Sequence, residues 1–253
     1  MARGTPRTRL PSSDLIRQLA RLTDADAPGS TQTFAEELSQ WLGWTDAIEL
    51  ATALNTTPAV VAVPAEAAAA LAEAAQTEVQ RVRDELGAVA RGDAAPAPRP
   101  ARRAWSPARP AVAPADPWDP ATHRQRYQAA QQTFAARVGP LRERLRATLA
   151  TLSPAHARLA ALDAVMEQVL GPREQALLAS VPQRLEPRFQ QLLRQRSLTD
   201  AATASAGLAA FTQTLQALLR AELDTRLQPV DGLLAALRSA APSSAAPSSH
   251  RHA

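Results

Sequence analysis

Eight prolines crowd residues 92–120 of this 253-residue chain. Proline fixes φ and lacks a backbone N–H, so a segment with this many prolines forms neither a regular helix nor a sheet. We therefore predict a Pro/Ala/Arg-rich linker over 92–120, between an N-terminal helical module at 12–91 and a C-terminal helical module at 121–238. The remaining residues, 1–11 and 239–253, are predicted to be a disordered arm and a disordered tail.

The apolar residues of both modules favour helices over strands. The chain contains 58 Ala and 32 Leu against 12 Val and 2 Ile, and 4% of its residues are aromatic. Ala and Leu are strong helix formers, whereas β-branched and aromatic residues favour strands. The composition predicts an all-α fold, with short helices in the N-terminal module and long antiparallel or coiled-coil helices in the C-terminal module.

Capping signals locate the shorter helices. A first helix is predicted over 13–23, and a second is predicted to begin near 30–33 and to end at Gly43. Gly43 would end the second helix in the left-handed conformation, which glycine adopts without a steric penalty. Asp46 would then cap a third helix, with Glu49 at its N3 position.

Proline and glycine set the expected limits of the longer helices. Pro64 opens a helix that reaches about Ala90, and Asp119 is the N-cap of the first helix after the linker. Pro140 is expected to kink or break that helix, because its ring clashes with the preceding turn. Gly171–Pro172 is expected to end the next one.

Two apolar stripes have nearly heptad spacing, one over 71–89 and one over 127–152. A single helix cannot bury such a stripe, so these helices either pack within the chain or pair between chains. We favour pairing between chains and predict a homo-oligomer.

The residue types and motifs of the chain exclude several enzyme classes. The chain has no Cys and no Lys, which excludes disulfides, cysteine-based metal sites, thiol nucleophiles and a P-loop lysine. There is no Gly-rich phosphate loop, no zinc-protease motif and no nucleophile-elbow motif. We assign no catalytic residue, no metal ligand and no cofactor, and expect a protein that is not an enzyme.

Tryptophans are the candidate partner-binding residues. Trp41 continues an apolar helical stripe and Trp44 follows Gly43, so each is either a core residue or an exposed anchor for a protein partner. Trp105 lies in the middle of the basic linker, where it is either accidental or part of a short docking motif. A split is expected, with Trp41 in the core and Trp44 in the docking site.

Arginines offer an alternative binding site. Residues 1–91 hold 8 Arg and 12 acidic residues, whereas residues 123–253 hold 16 Arg and 9 acidic residues. Guanidinium groups suit phosphate, so the Arg-rich stretch is a candidate nucleic-acid site, although no aromatic residues are interleaved to stack on bases. The candidate phosphate-binding residues are Arg137, Arg142, Arg144 and Arg146.

The N-terminus is basic but is followed by no apolar segment typical of a secretory signal. No stretch of about 18 apolar residues follows anywhere in the chain. These observations predict a cytoplasmic protein without a transmembrane segment.

The segment from Phe34 to Leu54 reads FAEELSQWLGWTDAIELATAL, and its core is Trp41 to Ile48. With its helical, coil-forming C-terminal half, the chain resembles an uncharacterised proteobacterial family defined as a domain of unknown function. The family carries no established activity, so the resemblance transfers no catalytic residue. Members tend to be encoded beside a membrane protein similar to proton-channel subunits and beside an OmpA-like protein, which implies an accessory role at an envelope complex.

Taken from the sequence, the expected function is that of a non-enzymatic adaptor or scaffold that binds protein partners through helical and coiled-coil surfaces. The alternative is a nucleic-acid-associated protein that uses the Arg-rich C-terminal module.

Overall fold

The computed structural model of the chain describes residues 14–23, 43–56, 58–93 and 116–240. These residues form seven helices and no strand, which confirms the all-α prediction. The helices are α1 (Asp14–Thr23), α2 (Trp44–Asn55), α3 (Ala65–Arg91), α4 (Pro120–Ala150), α5 (Pro154–Ala179), α6 (Val181–Arg196) and α7 (Ala201–Ala240). The second predicted helix before Gly43, the predicted arm at 1–11, residues 241–253 of the predicted tail and most of the predicted linker lie outside the described residues.

The described residues belong to two compact units, and four of the helices run from one unit into the other. The described parts of the first unit are 14–23, 84–93, 116–136 and 171–226. Those of the second unit are 43–56, 58–83, 137–170 and 227–240. Both units therefore combine segments from before and after the proline-rich stretch, and their boundaries cut across the predicted modules at 12–91 and 121–238.

Within the second unit, ion pairs connect α3 to helices that follow the proline-rich stretch. Arg144 of α4 bonds to Glu78 of α3 at 2.6 Å, and Arg83 of α3 pairs with Asp231 of α7. A helix expected in an N-terminal module thus packs with helices expected in a C-terminal one. The physical reason is that α3 has an apolar face that a single helix cannot bury alone.

The buried face of α3 agrees with the predicted stripe from Ala75 to Leu86 but differs from it at the ends. Leu71, which begins the predicted stripe, is partly exposed. The side chains that are buried recur every three or four residues and are mostly small. They are Ala68, Ala72, Ala75, Val79, Val82, Leu86 and Ala90. Alanines at the contact let neighbouring helices approach closely, so the helix turns these residues inward rather than Leu71.

The core of the first unit contains most of the buried aromatic residues. Tyr127 and Phe134 of α4 are almost fully buried, and so are Phe189 of α6 and Phe211 of α7. Phe189 and Phe211 meet edge to face, with ring centroids 5.0 Å apart, which suits the charge distribution of aromatic rings. Helix α1 contacts α6, and its Leu15 is buried.

The start of α4 agrees with the predicted cap. The Ala121 N–H donates to Asp119 Oδ1 at 3.0 Å, so the aspartate satisfies an amide that has no partner within the helix. Next to this cap, the Arg196 guanidinium lies 4.5 Å from the centroid of the Trp118 ring. At the other side of the proline-rich stretch, α3 ends in Gly92 with a left-handed φ of 80°.

Prolines do not end the long helices where expected. The prediction that Gly171–Pro172 ends a helix is wrong, because α5 continues to Ala179 with Pro172 inside it. Helix α4 continues through Pro140, so this proline does not break the helix. A proline inside a helix removes one hydrogen bond and clashes with the preceding turn. Buried side chains at Val169 and Leu178, before and after Pro172, anchor α5 in tertiary packing that offsets this cost.

Candidate functional site

Helix α2 in the second unit has large apolar side chains on its solvent-exposed face. Trp44 is 83% exposed, and Ile48 and Leu54 are each exposed over about half of their surface, at 51% and 49%. Ala47 and Ala51 between them are exposed as well. We call these five residues the α2 face. Large apolar side chains on an exposed face typically mark an interaction site.

The opposite side of α2 is less exposed to solvent. Ala53 is buried, and Asp46, Glu49 and Leu50 are half-buried. An ordinary surface helix turns its large apolar residues toward the core and its polar residues outward. In helix α2 the exposed side includes Trp44 and Ile48, so burial within its own unit does not explain these two side chains.

Local hydrogen bonds define where α2 begins. Gly43 is the N-cap with φ −73° and ψ 168°, and its N–H donates to Asp46 Oδ2 at 3.0 Å. The prediction that Gly43 is left-handed is therefore wrong, and so is the prediction that Asp46 is an N-cap. Asp46 is the N3 residue and Trp44 is the first residue of the helix, because the carboxylate reaches back to the extended Gly43.

The end of α2 and the segment after it are attached to the second unit by backbone groups. The Arg158 Nε–H of α5 donates to the Thr56 carbonyl at 3.1 Å. The Val63 N–H donates to the Leu152 carbonyl at 3.1 Å. These bonds hold the helix in place without covering its outer face.

Of the three predicted partner-binding tryptophans, the structure describes one. Trp44 is exposed, as expected for a docking residue. Trp41 and Trp105 lie outside the described residues. The sequence predicts Ile48, Leu50 and Leu54 as the apolar side of this helix, because an apolar residue every three or four positions is typical of a buried helix face. In the structure Leu50 is half-buried, whereas Ile48 and Leu54 lie on the exposed side.

Carboxylates engage three of the four candidate phosphate-binding arginines in the second unit. Arg142 binds both oxygens of Asp163, at 2.7 and 2.8 Å, and Arg146 bonds to Asp163 at 3.1 Å and to Glu167. Arg144 pairs with Glu78. Arg137 is half-buried on the same helix. A phosphate would have to displace these carboxylates, so the arrangement does not favour a nucleic-acid site.

The pKa of Arg146 shows the strength of this network. Burial by itself lowers the pKa of the guanidinium, but hydrogen bonds from it to Glu167 and Asp163 outweigh that effect and raise the pKa above its ordinary value. Charge-assisted hydrogen bonds of this kind are stronger than neutral ones. The arginines therefore join α4 to α5.

The first unit contains a buried polar network that the sequence analysis missed. Glu222 of α7 is fully buried, and its carboxylate accepts hydrogen bonds from Tyr127, Gln131 and Arg226 at 2.9–3.2 Å. The Gln131 amide also donates to the Leu178 carbonyl at 2.8 Å. The sequence does contain a signal for this network, because Glu222 lies on an otherwise apolar helix face and Arg226 follows four residues later.

Burial and hydrogen bonding leave the groups of this network unreactive. Burial raises the pKa of Tyr127 far above its ordinary value, and the nearby charge and hydrogen bond of Glu222 raise it further, while Arg226 opposes them. The phenol thus keeps its proton. Because both carboxylate oxygens are hydrogen-bonded and excluded from solvent, the network joins α4, α5 and α7 and offers no group to a substrate.

Two histidines also have structural contacts. His123 is buried against Phe189 and Phe211, with centroids 5.0 and 5.5 Å away, and its Nε2 lies 2.8 Å from the Pro117 carbonyl oxygen. His156 Nδ1 lies 2.7 Å from Ser153 Oγ, and its backbone N–H also points to that oxygen at the start of α5. In the described part of the chain, no group of three acidic or histidine side chains is placed to bind a metal ion.

None of the helices within residues 14–23, 43–56, 58–93 and 116–240 has the length and apolar character needed to span a bilayer.

An all-α fold with an exposed apolar helix face defines a helical protein with a candidate protein-docking surface. In sequence, residues 1–239 match the family described as "Protein of unknown function (DUF3348)", and the chain belongs to that family. No curated protein and no solved structure gives a match.

Proposed function

We propose that the protein is a non-enzymatic adaptor or scaffold that binds a protein partner through the α2 face. The observation that supports the proposal is the exposure of Trp44, at 83%, one helical turn from the half-exposed Ile48. Tryptophan is the side chain most enriched among residues that dominate binding energy, because it combines a large apolar area with few rotatable bonds.

The energetics support a docking role for this face. Burying a large apolar side chain that was exposed contributes about 1.5–3 kcal/mol, and an aromatic side chain provides about 150–250 Å² of contact area. A partner that covers Trp44, Ile48 and Leu54 gains this stabilisation at little ordering cost, since α2 is already folded and fixed at Thr56. The resemblance to a family encoded near envelope proteins supports an accessory role at an envelope complex as part of the proposal.

The experiment compares affinity capture by three tagged full-length chains: wild type, Trp44→Ala and Leu198→Ala. Leu198 lies between α6 and α7, is 85% exposed and serves as the matched control, because its truncation removes exposed apolar surface from a different unit. Captured proteins are identified by mass spectrometry, and thermal melting is measured for each chain.

We expect Trp44→Ala to capture at least tenfold less of the partner than wild type does. Its melting temperature should stay close to that of wild type. Leu198→Ala should retain capture. Equal capture by all three chains would refute the docking role of the α2 face. Salt-sensitive retention of the wild type on DNA, unaffected by Trp44→Ala, would instead favour the nucleic-acid alternative.

A further inference from the structure

The residue spacing and the charge of the α2 face indicate which partner it binds. We propose that α2 docks against α2 of a second copy of this chain, with the two helices antiparallel about a two-fold axis. The inference rests on the proposed docking surface and identifies the protein that occupies it.

The spacing of the α2 face is self-complementary. Trp44, Ala47, Ala51 and Leu54 follow one another at intervals of three, four and three residues, the pattern of a helix seam. Large side chains stand at the two ends of this seam, and small ones stand in the middle. Two antiparallel copies would therefore place Trp44 beside Leu54 of the partner subunit and Ala47 beside Ala51 of the partner subunit, so that the alanines let the helices approach closely.

Charge favours a second copy over a basic or acidic partner. The α2 face carries no charged residue, and its helix has Asp46 and Glu49 only on the half-buried side. An uncharged face offers nothing that would recognise a charged partner. It also allows two identical copies to meet without like charges opposing each other.

The available area sets the strength of the pairing. Trp44 presents on the order of 200 Å², and Ile48 and Leu54 bring the exposed area of the face to roughly 300–400 Å² per copy. A standard stable interface buries about 800 Å² on each partner, and smaller ones belong to weak or transient complexes. The dimer should accordingly be weak or transient, so it has to be sought at high protein concentration.

The stripes first considered for oligomerisation are not available for it. The buried residues of α3, such as Val79 and Val82, are already covered within the chain. So are Leu141, Leu145 and Leu149 of α4. The α2 face retains large apolar side chains at seam spacing that remain uncovered.

A charge-pairing experiment tests the antiparallel arrangement. Sedimentation velocity is run on the full-length chain from 10 to 500 μM, approximate limits chosen to bracket a weak interface. The variants are Ala47→Arg, Ala51→Glu and an equimolar mixture of the two. Both alanines are exposed, so the substitutions place a charge in the seam without disturbing the fold. Leu198→Arg, in the other unit, is the control.

We expect wild type and Leu198→Arg to dimerise equally. Each single variant of α2 should dimerise at least tenfold more weakly, because it buries a charge without a partner. The mixture should recover dimer, because antiparallel helices bring position 47 of one copy to position 51 of the other. Recovery also shows that both variants are folded.

Wild type that remains monomeric at the highest concentration would overturn the inference, and so would a dimer unaffected by the single substitutions. A mixture that does not recover dimer would overturn the antiparallel arrangement. If the wild type is monomeric but captures a different protein in a Trp44-dependent manner, the second copy is refuted while the adaptor function stands. If neither dimer nor Trp44-dependent capture is observed, both proposals fail.

Discussion

Replacing Glu222 by Gln should destabilise the protein more than any comparable change at its surface. The Glu222 carboxylate is fully buried and is the common acceptor for Tyr127, Gln131 and Arg226. Glutamine has nearly the same shape, so the substitution leaves no cavity. It removes the negative charge and introduces an NH₂ group among neighbours that are themselves donors.

The magnitude follows from these two effects. The Arg226 side chain is 14% exposed, so the variant leaves a largely buried guanidinium without a carboxylate. Breaking a buried ion pair by removing one partner costs about 3–5 kcal/mol. A domain of this size loses roughly 2–4 °C in Tm for each kcal/mol, so the expected decrease is about 6–20 °C. Tyr127→Phe removes one hydrogen bond to a charged group and should cost about 1.5–3 kcal/mol.

The assay is urea unfolding followed by circular dichroism, together with calorimetry. The matched control is Asp231→Asn, which breaks the Arg83–Asp231 pair in a partly exposed position and should change the free energy of unfolding by less than about 1 kcal/mol. A Glu222→Gln variant within about 1 kcal/mol of wild type would refute the reasoning, because the network would then contribute no more than a surface pair.

Asp163→Asn should lower the free energy of unfolding in urea by about 2–3 kcal/mol, because Asp163 neutralises the half-buried Arg142 and Arg146 together. The control is Glu78→Gln at an exposed pair, which should lower it by less than about 1 kcal/mol. Equal effects of the two substitutions would contradict the structural role of this network. Hydrogen bonds from the Thr203 backbone N–H and then its hydroxyl lower the pKa of Asp200 at the start of α7. A lowered folded-state pKa means that this stabilisation is present above the ordinary pKa of about 4 and is lost as pH falls below it. Asp200→Asn should therefore flatten the decline of the urea midpoint between about pH 5 and pH 2, and an unchanged decline would show that Asp200 contributes nothing to it.

Local signals were sufficient for features that depend on neighbouring residues. Asp119 caps α4 as its position before Pro120 predicted, because a cap needs only a short polar side chain at the first free amide. The same reasoning failed at Gly43, whose N–H is bonded to Asp46. A glycine between two helical patterns can end one helix or begin the next, and only the hydrogen bond distinguishes the two.

Composition determined the fold class, since a chain rich in Ala and Leu and poor in β-branched residues has little to build strands from. Tertiary structure decided which faces are buried. Periodicity shows that α3 has an apolar side, but it cannot show that Ala68 and Ala72 lie inside while Leu71 remains partly exposed, because that depends on how closely neighbouring helices approach.

For the candidate site too, the sequence supplied the candidate residues and the tertiary structure decided their roles. The sequence identified Trp44 as either a core residue or an anchor, and the choice required knowing which side of α2 faces its unit. It identified Arg142 and Arg146 as possible phosphate ligands, but their carboxylate partners lie on α5, about 20 residues away. Glu222 and Tyr127 are 95 positions apart. Partners so distant in sequence meet only when the helices pack, and the packing therefore decides which charged side chains are neutralised and which apolar ones remain exposed.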